Sequence, residues 1–279
     1  IWQPSVQAGV PDTLLGRPVL INNDMATLAA SSKSIGYGNI RGAYVIDGFP
    51  SVGLVGSIVA NYLVTSLNLR QIAVVDSDHF PTVSTIKNGV PHSPVRVYGG
   101  EFDEGKRMVV FVSEFQPPPH VLKLLGMTVM DWVEDHKCRL VISPEGISNK
   151  QSRRRQGEQP PEVLGVGSTP EARELLASKD IPIFEGGIIV GLSAILLNEG
   201  VNRTFDVITL LSEASADFPD ARAAAAEATT INDLILDGRL DLQPLKEEAE
   251  KIEGELKDIY DKAGKEQEIR KTSLPIMYG

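Results

Sequence analysis

Residues 43–67 read AYVIDGFPSVGLVGSIVANYLVTSL, and this stretch decides the fold class. The apolar run Ala43–Ile46 predicts a strand, and Asp47-Gly48 predicts the turn that ends it. Val52–Leu67 has its apolar residues on one side of a helix. A strand, a turn and a helix in this order begin the alternation that is typical of an α/β fold.

The alternation continues along the chain. We predict further strands at 71–75, 95–97, 108–112, 140–143, 181–184 and 205–211, and helices at 121–134, 171–178, 187–198 and 219–236. Continuous apolar strands between helices predict a three-layer α/β fold, a largely parallel sheet with helices on both faces. We expect one α/β domain at about 42–238, with a long polar surface loop at 148–169.

Residues 1–41 are weakly patterned and contain three prolines and several glycines. Only Pro18–Ile21 has the composition of a strand. We interpret 1–41 as an N-terminal arm that packs on the main domain or on a neighbouring molecule.

A different pattern begins at 239. Apolar residues recur at steps of three and four over three heptads, which predicts a helix at about 239–270 with one apolar seam; the seam residues are Leu242, Leu245, Ala249, Ile252, Leu256, Ile259 and Ala263. The seam can pair with another helix or lie along its own domain. Pro275 ends any helix, so we expect 271–279 to be an extended tail that reaches at most about 30 Å.

Composition narrows the function classes. The formal net charge is −10 and the pI is about 5.0, which argues against nucleic-acid binding. Cys138 is the single cysteine, so the chain has no thiolate metal cage, and we expect an inert buried thiol. The apolar stretch Ile188–Leu197 is far shorter than the roughly 20 residues of a membrane span. We therefore expect a cytoplasmic protein with no membrane contact, no metal and no cofactor.

The glycine-rich turn lies where phosphate-binding loops lie, between a strand and a helix. Gly53 is followed by Leu54-Val55 and not by the Lys and Ser/Thr of a P-loop, and Gly48, Gly53 and Gly56 lack the spacing of a dinucleotide fingerprint. We interpret these glycines as structural, since they allow a sharp turn and a helix close to the sheet.

Ionisable side chains follow three of the predicted strands. Residues just past the carboxyl ends of parallel strands line the ligand crevice of open α/β sheets; here they are Asp76, Asp78, His79, Glu114 and Glu145. An alternative function is therefore a small-ligand, nucleoside-type binding protein or a hydrolase with a crevice near Gly48, Asp76 and Glu114. The sequence contains no nucleophile elbow and no activated cysteine. We therefore predict that the chain has no catalytic residues.

The chain ends in Met277-Tyr278-Gly279. The methionine offers apolar surface, the tyrosine a rigid ring with a hydroxyl, and the last residue a carboxylate that a lysine can pair with. This ending resembles the hydrophobic-Tyr-any tail with which proteasome activators and assembly factors enter pockets between α subunits of the core particle.

Two internal motifs extend the resemblance. The run Gly48–Gly56 (GFPSVGLVG) with Ile58–Leu63 (IVANYL) resembles the opening motif of the archaeal and bacterial relatives of proteasome assembly chaperones. Gly186–Leu197 (GGIIVGLSAILL) is similar to the second signature helix of that family. The motif residues, which we interpret as structural, are Gly48, Phe49, Pro50, Gly53, Gly56, Gly187 and Gly191.

The resemblance implies a core similar to nucleoside phosphorylases without their catalytic set. It also implies a homo-oligomer that binds proteasome α subunits as an assembly chaperone or an activator, with Met277, Tyr278 and Gly279 as the docking residues. The arm 1–41 and the Arg-rich loop 148–169 have no place in this family pattern. A third reading is a scaffold protein held together by the heptad helix.

Overall fold

The structure is a computed structural model. It describes residues 40–148, 161–216, 219–244 and 247, together with the backbone of four strands within residues 2–30. Its strands are β1 Trp2–Gln3, β2 Asp12–Leu14, β3 Arg17–Ile21, β4 Thr27–Ala30, β5 Tyr44–Gly48, β6 Arg70–Asp76, β7 Thr85–Lys87, β8 Val90–His92, β9 Val95–Asp103, β10 Lys106–Ser113, β11 Leu140–Ile147, β12 Val163–Gly167 and β13 Val207–Glu213.

Five α-helices lie within residues 40–148, 161–216 and 219–244. They are α1 Val55–Ser66, α2 Pro119–Asp135, α3 Pro170–Ser178, α4 Leu192–Arg203 and α5 Ala221–Ile235. A single 3₁₀ turn, Val52–Leu54, precedes α1. The predicted helix over 52–67 is thus divided at Gly53 and Leu54, which both adopt left-handed backbone angles.

The strands form one mixed sheet in the order β1-β2-β3-β4-β6-β9-β10-β5-β11-β13-β12, and β7 and β8 form a separate hairpin. The four central strands, β10, β5, β11 and β13, are mutually parallel. β9 and β12 run antiparallel to their neighbours. The predicted α/β fold is confirmed, and the parallel part of its mixed sheet consists of these four strands.

Helices cover both faces of this sheet, as predicted. On one face α1, α3 and α5 pack over a row of strand residues that lie in register: Val110, Ile46, Ile142 and Ile208. On the other face α2 and α4 pack over the adjacent row: Val109, Val45, Val141 and Val207. Successive residues of a strand point to opposite faces, so a sheet buried on both sides needs these continuous apolar runs.

The N-terminal strands extend the sheet at its β6 edge. Strand β4 pairs antiparallel with β6, from Thr27 opposite Asp76 to Ala30 opposite Ala73. β1, β2 and β3 continue the antiparallel ladder outward. The predicted strand at Pro18–Ile21 corresponds to β3, and the other three strands lacked a clear sequence signal.

Three predictions for the second half of the chain were wrong. Residues 181–184 contribute only one bridge, from Ile183 to Gly165, and not a strand. The loop predicted at 148–169 contains β12 near its end. The helix predicted from Gly187 begins at Leu192, because Gly187 and Gly191 have positive φ angles of 153° and 93° that break the helical path.

Helix α1 lies unusually close to the sheet at Gly48. A Cβ placed on Gly48 would be 2.2 Å from the Ala60 Cβ and 2.3 Å from the Phe111 backbone oxygen. Real side chains do not approach this closely, so only glycine fits between α1 and β10. Gly48 therefore has a packing role in this structure.

We expect Gly48→Ala to destabilise the protein by about 3 kcal/mol or more, because the added methyl group meets a strand backbone that cannot move away. The measurement is the free energy of unfolding in urea. The matched control is Gly186→Ala, where a Cβ has no atom within 4 Å, and it should change stability by less than about 0.5 kcal/mol. Equal effects of the two substitutions would contradict the packing role of Gly48.

Candidate functional site

The carboxyl ends of β5, β11 and β13 meet at one edge of the sheet, where three acidic side chains converge. Asp47 accepts hydrogen bonds from the Ser143 hydroxyl at 2.7 Å and from the Phe49 N–H at 3.1 Å. Glu145 accepts one from the Ser193 hydroxyl at 2.8 Å. We call Asp47, Glu145 and Glu227 the carboxyl cluster.

Glu227 joins the cluster from α5. Its carboxylate accepts a hydrogen bond from the Ser212 hydroxyl at 2.6 Å, and its side chain is fully buried. Strand β11 places Gly146, the residue after Glu145, opposite Ser212 in β13, so Glu145 and the serine that holds Glu227 come from neighbouring strands. Each acid of the cluster is thus held by one serine hydroxyl.

Burial raises the pKa values of all three acids. Desolvation raises the pKa of Asp47 from 3.8 to about 6, against the opposing hydrogen bond from Ser143. Desolvation, with a smaller effect of the neighbouring Asp47 charge, raises the pKa of Glu145 from 4.5 to about 8. Desolvation also raises the pKa of Glu227 well above its usual range. At neutral pH Glu145 is therefore protonated, and the cluster is a hydrogen-bonded polar core.

The glycine-rich turn closes over this edge. The Ser51 hydroxyl oxygen accepts hydrogen bonds from the N–H groups of Gly56 at 3.0 Å and Gly146 at 3.4 Å. A Cβ on Gly56 would be 2.9 Å from the Pro144 oxygen. The Gly56 N–H near the start of α1, which an anion would use, is therefore taken by Ser51.

The other motif residues serve the same packing. Phe49 is buried in the core on the α2 face, and Pro50 is half-buried beside it. A Cβ on Gly53 would be 2.9 Å from the Ala214 Cβ, and Gly53 has a φ of 63°. Gly187 faces the Phe184 ring, and Gly191 forms the boundary before α4.

The crevice proposed from the strand-end residues is not assembled. Glu114 is buried and forms an ion pair with the buried Arg96, whose guanidinium also donates to the Ser93 carbonyl at 3.0 Å. Asp76 is exposed at the end of β6. Two strands separate β6 from β5, which puts Asp76 about 14 Å from the Gly48 strand. Of the strand-end residues predicted, only Glu145 belongs to the carboxyl cluster.

Three further residues from the sequence analysis, Asp78, His79 and Cys138, lie outside the carboxyl cluster. Asp78 and His79 are exposed, and the His79 ring contacts the His120 ring edge-on at a centroid distance of 5.4 Å. Cys138 is buried and desolvation raises its pKa to about 12, so the thiol is unreactive as predicted.

Sequence reasoning missed Asp47, Glu227 and the serines that hold them. One signal was present: Glu227 lies four residues after Ala223 and four before Ile231, on the buried face of α5. An acid at a position that the helical period assigns to the core indicates a buried polar contact.

Two classes of site have no support in the described part of the chain. Its residues include no group of three or more His, Cys, Asp or Glu side chains that could hold a metal ion. None of the helices described has the length and apolar character needed to cross a membrane. The predicted docking residues Met277, Tyr278 and Gly279, and most of the predicted helix 239–270, lie outside the described residues.

The fold and the motifs define a family. The PAC2 family matches residues 45–260, and the chain belongs to this family. An uncharacterized protein of Methanocaldococcus jannaschii is 28% identical over 215 residues, which is 77% of this chain and 84% of the relative. The family match, residues 45–260, spans the glycine-rich turn, the carboxyl cluster and the parallel strands of the sheet.

Two solved structures of archaeal proteins are similar to this chain over most of its length. Pyrococcus furiosus PbaA, an archaeal homolog of proteasome-assembly chaperone, is 30% identical with a TM-score of 0.70 and covers 81% of this chain and 96% of its own. Pyrococcus furiosus PbaB, an archaeal proteasome activator, is 25% identical with a TM-score of 0.67 and covers 84% and 98%. The suspected relationship to proteasome assembly chaperone homologues is therefore confirmed.

A second, shorter similarity concerns the N-terminal arm. The phage capsid family matches residues 1–55, about a fifth of the chain, and overlaps the PAC2 match only at residues 45–55. This similarity covers the segment that the PAC2 pattern leaves out. It is too short to assign the chain to that family.

The carboxyl cluster predicts a specific dependence of stability on pH. The native state keeps the Glu145 proton up to about pH 8, whereas the unfolded chain releases it near pH 4.5. Stability from this group is thus complete below pH 4.5 and is lost as the pH rises to about 8. Glu145→Gln should match wild type at pH 4 and exceed its unfolding free energy at pH 9, with about 5 kcal/mol as the upper limit.

The measurement is urea unfolding of both proteins from pH 4 to 9. Glu104→Gln, at an exposed turn position, is the control and should follow the wild-type curve. A Glu145→Gln protein that is less stable than wild type at pH 9 would mean that the carboxylate, and not the acid, is the native form.

Proposed function

We propose that this chain is a non-enzymatic, cytoplasmic, homo-oligomeric protein that binds α subunits of the proteasome core particle as an assembly chaperone or activator. The observation that carries the proposal is the similarity to an archaeal proteasome activator over 98% of that protein's length. The ending Met277-Tyr278-Gly279 supplies the means of contact.

In this proposal the tail is the docking element. Met277 inserts apolar surface into a pocket between α subunits, Tyr278 stacks there and hydrogen-bonds through its hydroxyl, and the Gly279 carboxylate pairs with a pocket lysine. Three residues bury little area, so a single tail binds weakly. Several tails on one oligomer bind together by effective concentration.

The strand-end edge supports a binding role over a catalytic one. A general acid or base must reach a substrate, but Asp47 and Glu227 are buried and bonded to serines, and Glu114 is paired with Arg96. Burial raises the pKa values of Asp47 and Glu227, so these shifts have a structural origin. The polar groups at this edge stabilise the turn between β5 and α1.

An exposed apolar loop is the surface that we propose for self-association. In the loop before α4, the side chains of Ile188 and Val190 are 89% and 73% exposed. The sequence pattern treated these residues as core, since they are as apolar as the helix that follows. Adjacent exposed apolar residues of this size mark protein contacts, and the homo-oligomer that the family resemblance implies provides a second copy to cover them.

The docking role of the tail predicts which variants lose binding to purified core particle. Full-length protein should bind, whereas Tyr278→Ala and a chain lacking 277–279 should bind at least about tenfold more weakly, because a stacked, hydrogen-bonded aromatic anchor is lost. The measurement is surface plasmon resonance on immobilised core particle.

Two controls accompany this experiment. Ser273→Ala changes the tail outside the motif and should bind as wild type. Extra residues appended after Gly279 keep Met277 and Tyr278 but displace the carboxylate, and should weaken binding as truncation does. Equal binding by every variant would refute tail docking and place the contact on the α/β domain.

The proposed oligomer contact predicts that Ile188→Glu combined with Val190→Glu dissociates the oligomer, because charges replace the apolar contact. The measurement is molar mass by light scattering after gel filtration. The matched control places the same charges at Ile86 and Val90 of the β7–β8 hairpin, which are 62% and 53% exposed, and should leave the mass unchanged.

The dissociated variant also tests avidity. It retains the tail, and its apparent affinity for core particle should fall by about 100-fold. A monomer that binds as tightly as the oligomer would contradict the multivalent mechanism, and a control variant that dissociates instead would place the contact on the hairpin.

A further inference from the structure

The loop before α4, residues 185–191, has few polar contacts with the domain that it lies on. Among the described residues, 185–190 take part in a single hydrogen bond to the rest of the chain, in which the Val190 carbonyl accepts from the Ser193 hydroxyl at 3.4 Å. Ile188 and Val190 are the exposed apolar residues of this loop. A segment with so few bonds depends on the element that follows it for its position.

Ser193 connects this loop to the carboxyl cluster. It is the second residue of α4, and its side chain is buried. Its hydroxyl donates to Glu145 Oε2 at 2.8 Å and lies farther, at 3.4 Å, from the Val190 carbonyl. A serine hydroxyl has one proton, so the shorter bond to Glu145 is the stronger one. Ser193 thus joins the first turn of α4, and the end of the loop, to the end of β11.

Glu145 occupies this position as a neutral acid. Its side chain is half-buried, and burial raises its pKa to about 8, against the smaller opposing effects of the hydrogen bonds from Ser193 and the Val52 backbone. A carboxylate loses far more hydration than a carboxylic acid when protein covers it. Once ionised, Glu145 is therefore more stable with its carboxylate turned toward solvent and away from Ser193.

The ionisable groups that face Glu145 favour the same change. They are Asp47 from β5, Glu227 from α5 and Glu213, which lies two residues beyond Leu211, the partner of Glu145 in β13. All three are acids. The first turn of α4 and the turn Val52–Leu54 contribute no charged side chain. A negative charge on Glu145 thus has no cation on these elements to hold it in place.

We propose that Glu145, through Ser193, positions the loop before α4 for self-association. When Glu145 loses its proton and turns to solvent, the first turn of α4 loses its anchor, the loop is released and the oligomer weakens. The effect on the oligomer rests on the self-association surface proposed above, whereas the anchor lies within one chain. The two parts are therefore tested separately.

The first test measures the anchor itself. Ser193→Ala should raise the exchange rate of the amides of residues 195–198, which bond to the carbonyls of the first turn, by about fivefold, because one hydrogen bond is lost. Alanine is a better helix former than serine, so without the anchor the same substitution would slow this exchange. The measurement is hydrogen exchange of the full-length chain by mass spectrometry.

The matched control is Ser212→Ala. It removes the serine that holds Glu227, on the face of the sheet opposite α4, and should leave the exchange of 195–198 unchanged. Exchange in Ser193→Ala that is equal to or slower than in wild type would overturn the inference, whatever the oligomeric state.

The second test measures the oligomer. Between pH 7 and pH 9 the dissociation constant of wild type should rise by about fivefold, the factor expected for one hydrogen bond. Glu145→Gln keeps an oxygen that accepts from Ser193 but has no proton to lose, so its dissociation constant should be the same at both pH values. The measurement is sedimentation equilibrium of the full-length proteins.

The remaining outcomes separate the anchor from the proposed contact. Equal weakening of wild type and Glu145→Gln at pH 9 would overturn the role of Glu145. Faster exchange in Ser193→Ala with an unchanged dissociation constant would overturn the link to self-association. If Ile188→Glu with Val190→Glu also leaves the molar mass unchanged, the failure lies in the proposed contact and not in the anchor.

Discussion

The close contact between α1 and the central sheet is the constraint on which the rest of the structure depends. Gly48 leaves no space for a methyl group between Ala60 and the β10 backbone, and a Cβ on Gly146 would lie 2.0 Å from the Val52 oxygen. This contact fixes the turn between β5 and α1. This turn places Ser51 over the start of α1. Its hydroxyl contacts the Gly56 and Gly146 N–H groups at the sheet edge where Asp47 and Glu145 lie.

At that edge the predicted crevice residues Gly48, Asp76 and Glu114 are not brought together. Open α/β sheets bind ligands at the carboxyl ends of their strands. In this chain the same position is filled by serine-bonded carboxyl groups and by a glycine turn, and burial raises the pKa values of these carboxyl groups. The surfaces that we propose for partners are the exposed loop before α4 and the C-terminal tail.

Much of the fold could be predicted from the sequence because the central strands are buried on both faces. Val45 and Ile46 contact different helical layers, so both must be apolar and the run is recognisable. The same rule failed at Ile188, where an equally apolar run lies exposed between glycines of positive φ. Strand β12 was missed because it is short, contains two glycines and lies after a polar stretch. The carboxyl cluster was mostly missed because its members come from β5, β11 and α5, and only the fold brings them together.

We propose that the last residues of this chain carry its partner recognition, and competition by a tail peptide tests this proposal. A synthetic peptide of residues 271–279 with a free carboxylate is titrated against the complex of full-length protein and proteasome core particle. The account predicts that this peptide displaces the protein and that the same peptide with an amidated C-terminus does not, because the terminal charge is lost. Displacement by neither peptide, at concentrations that saturate a weak site, would contradict the account and assign recognition to the α/β domain.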